Sequence, residues 1–189
     1  MDYRPLLVAV TGPECSGKTT LSKKIALALG GVYVAEYARA YLAGKPHGYE
    51  AHDLTEIARG QAAALIAGMA EAGDAPCPLV VADTDLTVIR IWSEEKFGRT
   101  DPSILRLQHE ESFDLTLLCD PEGVPWEPDP LRENPHDRNR LFSRYLQHCR
   151  AGGGSFAIIS GKQEERLRSA LDATRRLMSV RHETMRGRI

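Results

Sequence analysis

Apolar residues in this chain follow two different periods. Unbroken apolar runs occur at Leu6-Leu7-Val8-Ala9-Val10, Val32-Tyr33-Val34-Ala35, Leu79-Val80-Val81-Ala82, Leu115-Thr116-Leu117-Leu118-Cys119 and Phe156-Ala157-Ile158-Ile159. Runs this short, bounded by polar, Gly or Pro residues, read as buried strands, predicted over 5–11, 32–35, 78–83, 115–119 and 156–160. Between them the apolar positions recur three and four apart, the spacing of a helix with one buried face. Leu21, Ile25, Ala28 and Leu29 form one stripe, predicting a helix over 17–29 that Gly30-Gly31 ends. Leu54, Ile57, Ala58, Ala62, Leu65, Ile66 and Met69 form a longer one, broken by Gly73-Asp74-Ala75-Pro76. Leu86, Ile89 and Trp92 open a third helix, and two more are predicted over 102–111 and 138–149. Leu167, Ala170, Leu171, Thr174, Leu177 and Met178 mark the last. Continuous apolar strands alternating with amphipathic helices predict an α/β fold, a parallel sheet covered on both faces. No internal repeat, low-complexity tract or linker interrupts the pattern, so residues 1–189 are expected to form a single domain.

One segment breaks the alternation. Residues 120–135 carry five prolines, Trp126 and Arg132, and no periodicity. A loop this long inside a compact domain is usually functional. It is read as a lid over about 121–139, with Arg132 and Arg138 placed to close on a transferring phosphoryl group and neutralise its charge. Trp126 is expected either to stack on a planar or cationic ring or to anchor the base of the lid.

Between the first strand and helix lies Gly12-Pro13-Glu14-Cys15-Ser16-Gly17-Lys18-Thr19. It fits G-x-x-x-x-G-K-[ST], the phosphate-binding P-loop. Gly12 and Gly17 allow a tight loop whose N–H groups point inward onto phosphate oxygens. Lys18 supplies a charge for the β- and γ-phosphates, Thr19 a hydroxyl for Mg²⁺, and the helix its positive N-terminal end. Gly12, Glu14, Cys15, Ser16, Gly17, Lys18, Thr19 and Thr20 are thus the expected ATP-phosphate contacts.

Ligands of such sheets gather at the carboxyl ends of the strands. There stand Glu36, Tyr37 and Arg39 after the second strand, Asp83, Thr84 and Asp85 after the third, Asp120 after the fourth, and Gly161-Lys162-Gln163-Glu164-Glu165-Arg166 after the fifth. Several polar strand ends beside a phosphate loop suit a two-substrate kinase, in which one carboxylate orients or deprotonates the acceptor hydroxyl. Asp83 is the candidate for the Mg²⁺ shell, with the capping of the next helix as its alternative. Glu36 and Asp85 are candidates to meet the acceptor; otherwise they pair with Arg39 and Arg90.

Composition narrows the class. The chain has 189 residues, 42% apolar, with a net charge of −2, so nothing points to non-specific nucleic-acid or membrane binding. Cysteines at 15, 77, 119 and 149 lack CxxC spacing, which suggests neither a zinc nor a redox motif and fits a reducing, cytoplasmic setting. Cys15 is read as a small filler, or else as an oxidisable thiol at a helix N-terminus. The N-terminus has no signal-peptide pattern, and the apolar stretch from Ala62 to Ala70 is too short to span a bilayer. The basic segment 181–189 is read as a solvated tail.

Gly-Pro-Glu-x-Ser-Gly-Lys-Thr-Thr at 12–20, Glu-Tyr-Ala-Arg at 36–39, Asp-Thr-Asp at 83–85, and Pro-Trp-x-x-Asp-x-Leu-Arg at 125–132 followed by Arg138 occur in that order. Together they resemble the ribosylnicotinamide kinase domain of the bacterial NAD-biosynthesis regulator family, from residue 6 to about 175. The resemblance implies a P-loop NTPase three-layer fold with parallel strand order 2-3-1-4-5. It also implies ATP- and Mg²⁺-dependent phosphorylation of the ribose 5′-hydroxyl of nicotinamide riboside, giving nicotinamide mononucleotide. Lys18, Asp83, Glu36, Arg132 and Arg138 are then the catalytic set. Glu36, Tyr37, Arg39, Asp85 and Trp126 face the acceptor, and Thr19 and Asp83 the metal. Two residues depart from the family pattern: Cys15 replaces Ser, and Pro130 replaces a Gly expected to follow the lid Asp. The DNA-binding and adenylyltransferase modules of the multifunctional relatives are not expected within this length. The rival readings are a kinase for another nucleoside or small metabolite, and a P-loop regulatory ATPase or nucleotide sensor.

Overall fold

A computed structural model describes residues 4–45, 48–73, 78–129, 132 and 135–186. Its elements, in chain order, are β1 (Leu6–Thr11), α1 (Lys18–Leu29), β2 (Val32–Val34), α2 (Tyr37–Ala43), α3 (Ala51–Ala72), β3 (Leu79–Asp83), α4 (Leu86–Phe97), α5 (Pro102–Glu110), β4 (Leu115–Cys119), α6 (Arg138–Ala151), β5 (Phe156–Ile159) and α7 (Gln163–Arg186). The five strands form one parallel sheet in the order 2-3-1-4-5, as the resemblance implies.

The face alternation of β1 divides the core. Leu6, Val8 and Val10 pack with Leu21 and Ile25 of α1 and Ala170 and Ala173 of α7. Leu7 lies in the opposite layer with Val34, Val80, Ala82 and Leu65 of α3. Beyond that layer, Leu54 and Ile57 of α3, Leu86 and Ile89 of α4 and Ile104 of α5 form a second apolar cluster, each side chain fully buried. Each such side chain contributes about 1.5–3 kcal/mol of transfer free energy. Leu118 of β4 joins Val88 and Ile91 of α4 and Leu141 and Tyr145 of α6. The result is three layers, with α1 and α7 on one face and α3 to α6 on the other.

Two expectations change. Residues 37–43 form a helix, α2, where no separate element is expected from the apolar pattern; only Ala38 and Leu42 are buried in it, too few for a periodic stripe. Helix α7 continues to Arg186, so 181–186 belongs to a helix rather than to a tail. Cys77 and Pro130 lie outside the described residues. No helix among them is long and apolar enough to cross a membrane.

Candidate active site

The strand order reverses at β1, whose neighbours are β3 and β4. Topology therefore puts a crevice at the carboxyl end of β1, and the phosphate loop fills it. Gly12 (φ 137°) has no room for a side chain, because a Cβ there would stand 2.7 Å from the Cys119 carbonyl oxygen. Gly17 (φ 80°) caps α1. Ser16 is buried and its hydroxyl donates to the Pro13 carbonyl at 2.8 Å. Lys18 Nζ donates to the carbonyls of Gly12 and Pro13, both at 2.9 Å, so the ammonium lies across the loop. A cleft of about 420 Å³ runs along this loop, lined among others by Lys18, Thr19, Glu36, Arg39, Arg132 and Arg166.

Glu36 lies two residues past β2, at the N-cap of α2. Burial raises its pKa, with the positive charge of Lys18 acting in the opposite direction. Arg39 Nε donates to Glu36 Oε2 at 3.1 Å. The pairing with Arg39 weighed from the sequence is therefore present, and Glu36 still lines the cleft. Tyr37 is held by its backbone: its N–H donates to Gln61 Oε1 at 2.8 Å, and its ring lies on Gly60, where a Cβ would stand 2.2 Å from the Cε1 atom of the ring.

Asp83 ends β3 level with Val10. It is 1% exposed, and Tyr33 donates its hydroxyl to Oδ2 at 3.1 Å. Oδ1 is buried without a partner, as is the hydroxyl of Thr84, whose φ is 99°. Left-handed backbone at a β-branched residue is strained, and an unpaired buried carboxylate oxygen is costly. A cation shell beside the phosphates would relieve that cost, so Asp83 and Thr19 fit Mg²⁺. Asp83 does not cap α4; Asp85 occupies the N-cap position. Asp85 is also buried and accepts from the Thr11 hydroxyl at 2.7 Å. Burial raises its pKa. It does not pair with Arg90, which turns to Glu94 and Gln108.

The lid sits on Cys15. The thiol contacts the Pro125 carbonyl at 3.2 Å and accepts from the Glu127 N–H at 3.2 Å and from Arg132 at 3.3 Å. Cys15 thus seats the lid, which a plain filler does not do. Arg132 also donates to the Glu127 carbonyl. Arg138 straps the lid base, donating to the carbonyls of Val124 at 2.9 Å and Cys15 at 3.2 Å. Its guanidinium stands 5.9 Å from the centre of the Trp126 ring. Pro125 and Glu127 line the cleft, whereas Trp126 between them does not, so the lid-base alternative for Trp126 is the one this geometry favours.

Two participants, Gln61 and Glu111, were missed in the sequence. Gln61 is 2% exposed and ties β2 to α2; its signal was a polar residue in register with the apolar stripe of α3. Glu111 accepts from the Leu86 N–H at 2.9 Å at the start of α4. Burial, and then the charge of Asp85, push its pKa to about 8. Arg166, among the polar residues expected after the fifth strand, lies in the first turn of α7, is 5% exposed and reaches the phosphate loop. Among the described residues no cluster of three His, Cys, Asp or Glu side chains is arranged to hold a metal.

A family model described as an AAA domain matches residues 7–166. The chain is 31% identical over 129 residues, or 66% of its length, to the trifunctional NAD biosynthesis/regulator protein NadR of Salmonella typhimurium LT2 and to that of Escherichia coli K12. It spans 30% of the length of each. The similarity bears out the resemblance drawn from the motifs. Among solved structures, NadR in complex with NAD and AMP-PNP aligns at a TM-score of 0.74 and 22% identity, over 92% of this chain and 50% of that one. NadR in complex with NR aligns at 0.77 and 20%, over 94% and 53%. A deoxyadenosine kinase from M. mycoides aligns at 0.56 and 12%, over 90% and 99%. At these identities the structural matches speak for the fold.

Proposed function

The chain belongs to the AAA domain family, and we propose that it is an ATP-dependent kinase transferring the γ-phosphoryl group to the ribose 5′-hydroxyl of nicotinamide riboside. The observation that carries this reading is one cleft lined both by the phosphate loop and by Glu36, a half-buried carboxylate just past β2. A loop that only senses a nucleotide has no need of an acid facing its phosphates. The acceptor identity rests on the sequence similarity to NadR and on the solved complex of that protein with NR.

In this reading the loop N–H groups and Lys18 bind the β- and γ-phosphates. Arg132 enters from the lid and opposes the charge on the moving phosphoryl group. The bond from the γ-phosphorus to the bridging oxygen breaks, leaving ADP, as the 5′-oxygen bonds to that phosphorus. Glu36 takes the proton of the 5′-hydroxyl; its raised pKa suits a general base better than an ordinary surface carboxylate. Asp85, fixed by Thr11, and Tyr37, seated on Gly60, position the ribose side. Thr19 and Asp83 are the residues that would hold Mg²⁺. When bound, the metal neutralises phosphate charge.

The test is ADP release with Mg-ATP and a nucleoside panel. A rise above the acceptor-free rate only with nicotinamide riboside is expected. A rise only with another nucleoside would remove the acceptor assignment, and no rise with any would leave an ATPase or sensor.

A further inference from the structure

Arg166 places a buried positive charge directly behind the phosphate loop. One nitrogen donates to the Ser16 carbonyl at 2.6 Å and another to the Asp120 carbonyl at 2.8 Å. The charge is also felt by the Cys119 thiol, whose pKa burial pushes up to about 11 while Arg166 lowers it. These bonds link the first turn of α7 to the loop and to the end of β4. Among the described residues Arg166 forms no ion pair with a carboxylate, although the side chain is only 5% exposed. Removing a guanidinium from water without an anion is expensive, and two carbonyl oxygens repay only part of that cost. The side chain also lines the cleft beside Lys18 and Thr19. The anion that would balance it belongs in that cleft.

We propose that Arg166 is a positioning residue of the nucleotide site, holding the Ser16 carbonyl back so that the loop N–H groups face the phosphates, and adding a fixed positive charge beneath them. The inference rests on the reading of this cleft as the ATP site. A peptide unit presents its carbonyl and N–H in opposite directions. Gripping the Ser16 carbonyl from the α7 side therefore turns the N–H of Gly17 the other way, and the same plane is fixed for every phosphate that docks. A lysine carries the charge but not the planar fork that spans two carbonyls.

The experiment is nucleotide binding by calorimetry without acceptor, comparing ATP, AMP and adenosine, on wild type, Arg166→Lys and Arg166→Met. Arg166→Met is expected to weaken ATP by about tenfold or more, AMP less, and adenosine hardly at all. Arg166→Lys should fall between, and the salt dependence of ATP binding should flatten in Arg166→Met. Equal losses for ATP and adenosine would overturn the proposal, making Arg166 a general structural support, and so would unchanged ATP affinity. If Arg166→Met does not fold, Arg166→Lys decides: a loss confined to ATP supports the grip, and wild-type affinity overturns it. A wild-type chain that binds no ATP would defeat the reading of the cleft itself, a result distinct from all of these.

Discussion

The guanidinium of Arg39 stands 2.9 Å from the carboxylate of Asp129, 90 positions further along the chain. Its Nε meanwhile donates to Glu36. One exposed arginine thus connects the carboxylate assigned as base to the segment that closes over the phosphates. Replacing Arg39 with Gln should cost little stability, about 1 kcal/mol or less, because the pair is at the surface. Its effect should appear in the pH profile. Arg39 lowers the pKa of Glu36, so its loss raises that pKa, and the rise of kcat/KM with pH should move to higher pH. Glu36→Gln should lose about 10²–10⁴ in kcat and abolish that limb. Steady-state kinetics across pH check both; an unmoved limb in Arg39→Gln would contradict the coupling.

Glu111 makes a prediction about stability alone. Its pKa, pushed to about 8 from an ordinary 4.5, means that the folded state holds the proton more tightly than the unfolded one. The stabilisation is complete below the unfolded pKa and is lost as pH rises through the folded one. Unfolding free energy should therefore fall from weakly acidic to weakly alkaline pH, by on the order of 1 kcal/mol per pH unit, and the melting temperature with it. Glu111→Gln keeps an oxygen for the Leu86 N–H and removes the titration. It should flatten that fall, and an equally steep fall in the variant would place the titrating group elsewhere.

The strands and most helices were legible because period alone fixes them. The chain's five continuous apolar runs became its five strands, and even the Asp83 strand end fell where the run stopped. The phosphate loop was legible because its chemistry lies in backbone spacing, which glycines reveal. Pairings across the fold were not. Nothing local marks Cys15 as the seat of Pro125 and Glu127, more than 100 positions away. Arg166 was legible as a polar residue after the fifth strand, but not its partners Ser16 and Asp120, which meet it only once α7 packs on the sheet. Trp126 stayed open between a ligand face and a lid anchor because an aromatic in a proline-rich loop has no period to assign it to the core; the Arg138 guanidinium lies near that ring.

The seating of the lid on Cys15 can be measured. Cys15→Ala removes the sulfur that accepts from the Glu127 N–H and from Arg132. Hydrogen exchange at 121–129 should accelerate, and kcat/KM for ATP should fall about three- to tenfold, the size of one or two weak hydrogen bonds. Unchanged exchange would make the contacts incidental.

Gly60 and Tyr37 form a testable pair. A methyl at Gly60 would stand 2.2 Å from the Tyr37 ring. The ring, at the surface, can move away, so Gly60→Ala should fold and should raise the acceptor KM about as much as Tyr37→Ala does. The double variant should be no worse than either alone, since both act through one ring position. Additive losses would separate the two residues.

The central claim is that the Glu36 side of the cleft delivers a nicotinamide riboside 5′-hydroxyl to the γ-phosphate held at Lys18. It is tested most directly by incubating the chain with Mg-ATP and nicotinamide riboside and identifying the products by ³¹P NMR. The account predicts one new phosphomonoester on the ribose 5′-oxygen, formed in step with ADP and absent with Lys18→Ala. ADP with inorganic phosphate alone, or no turnover of ATP, would contradict it.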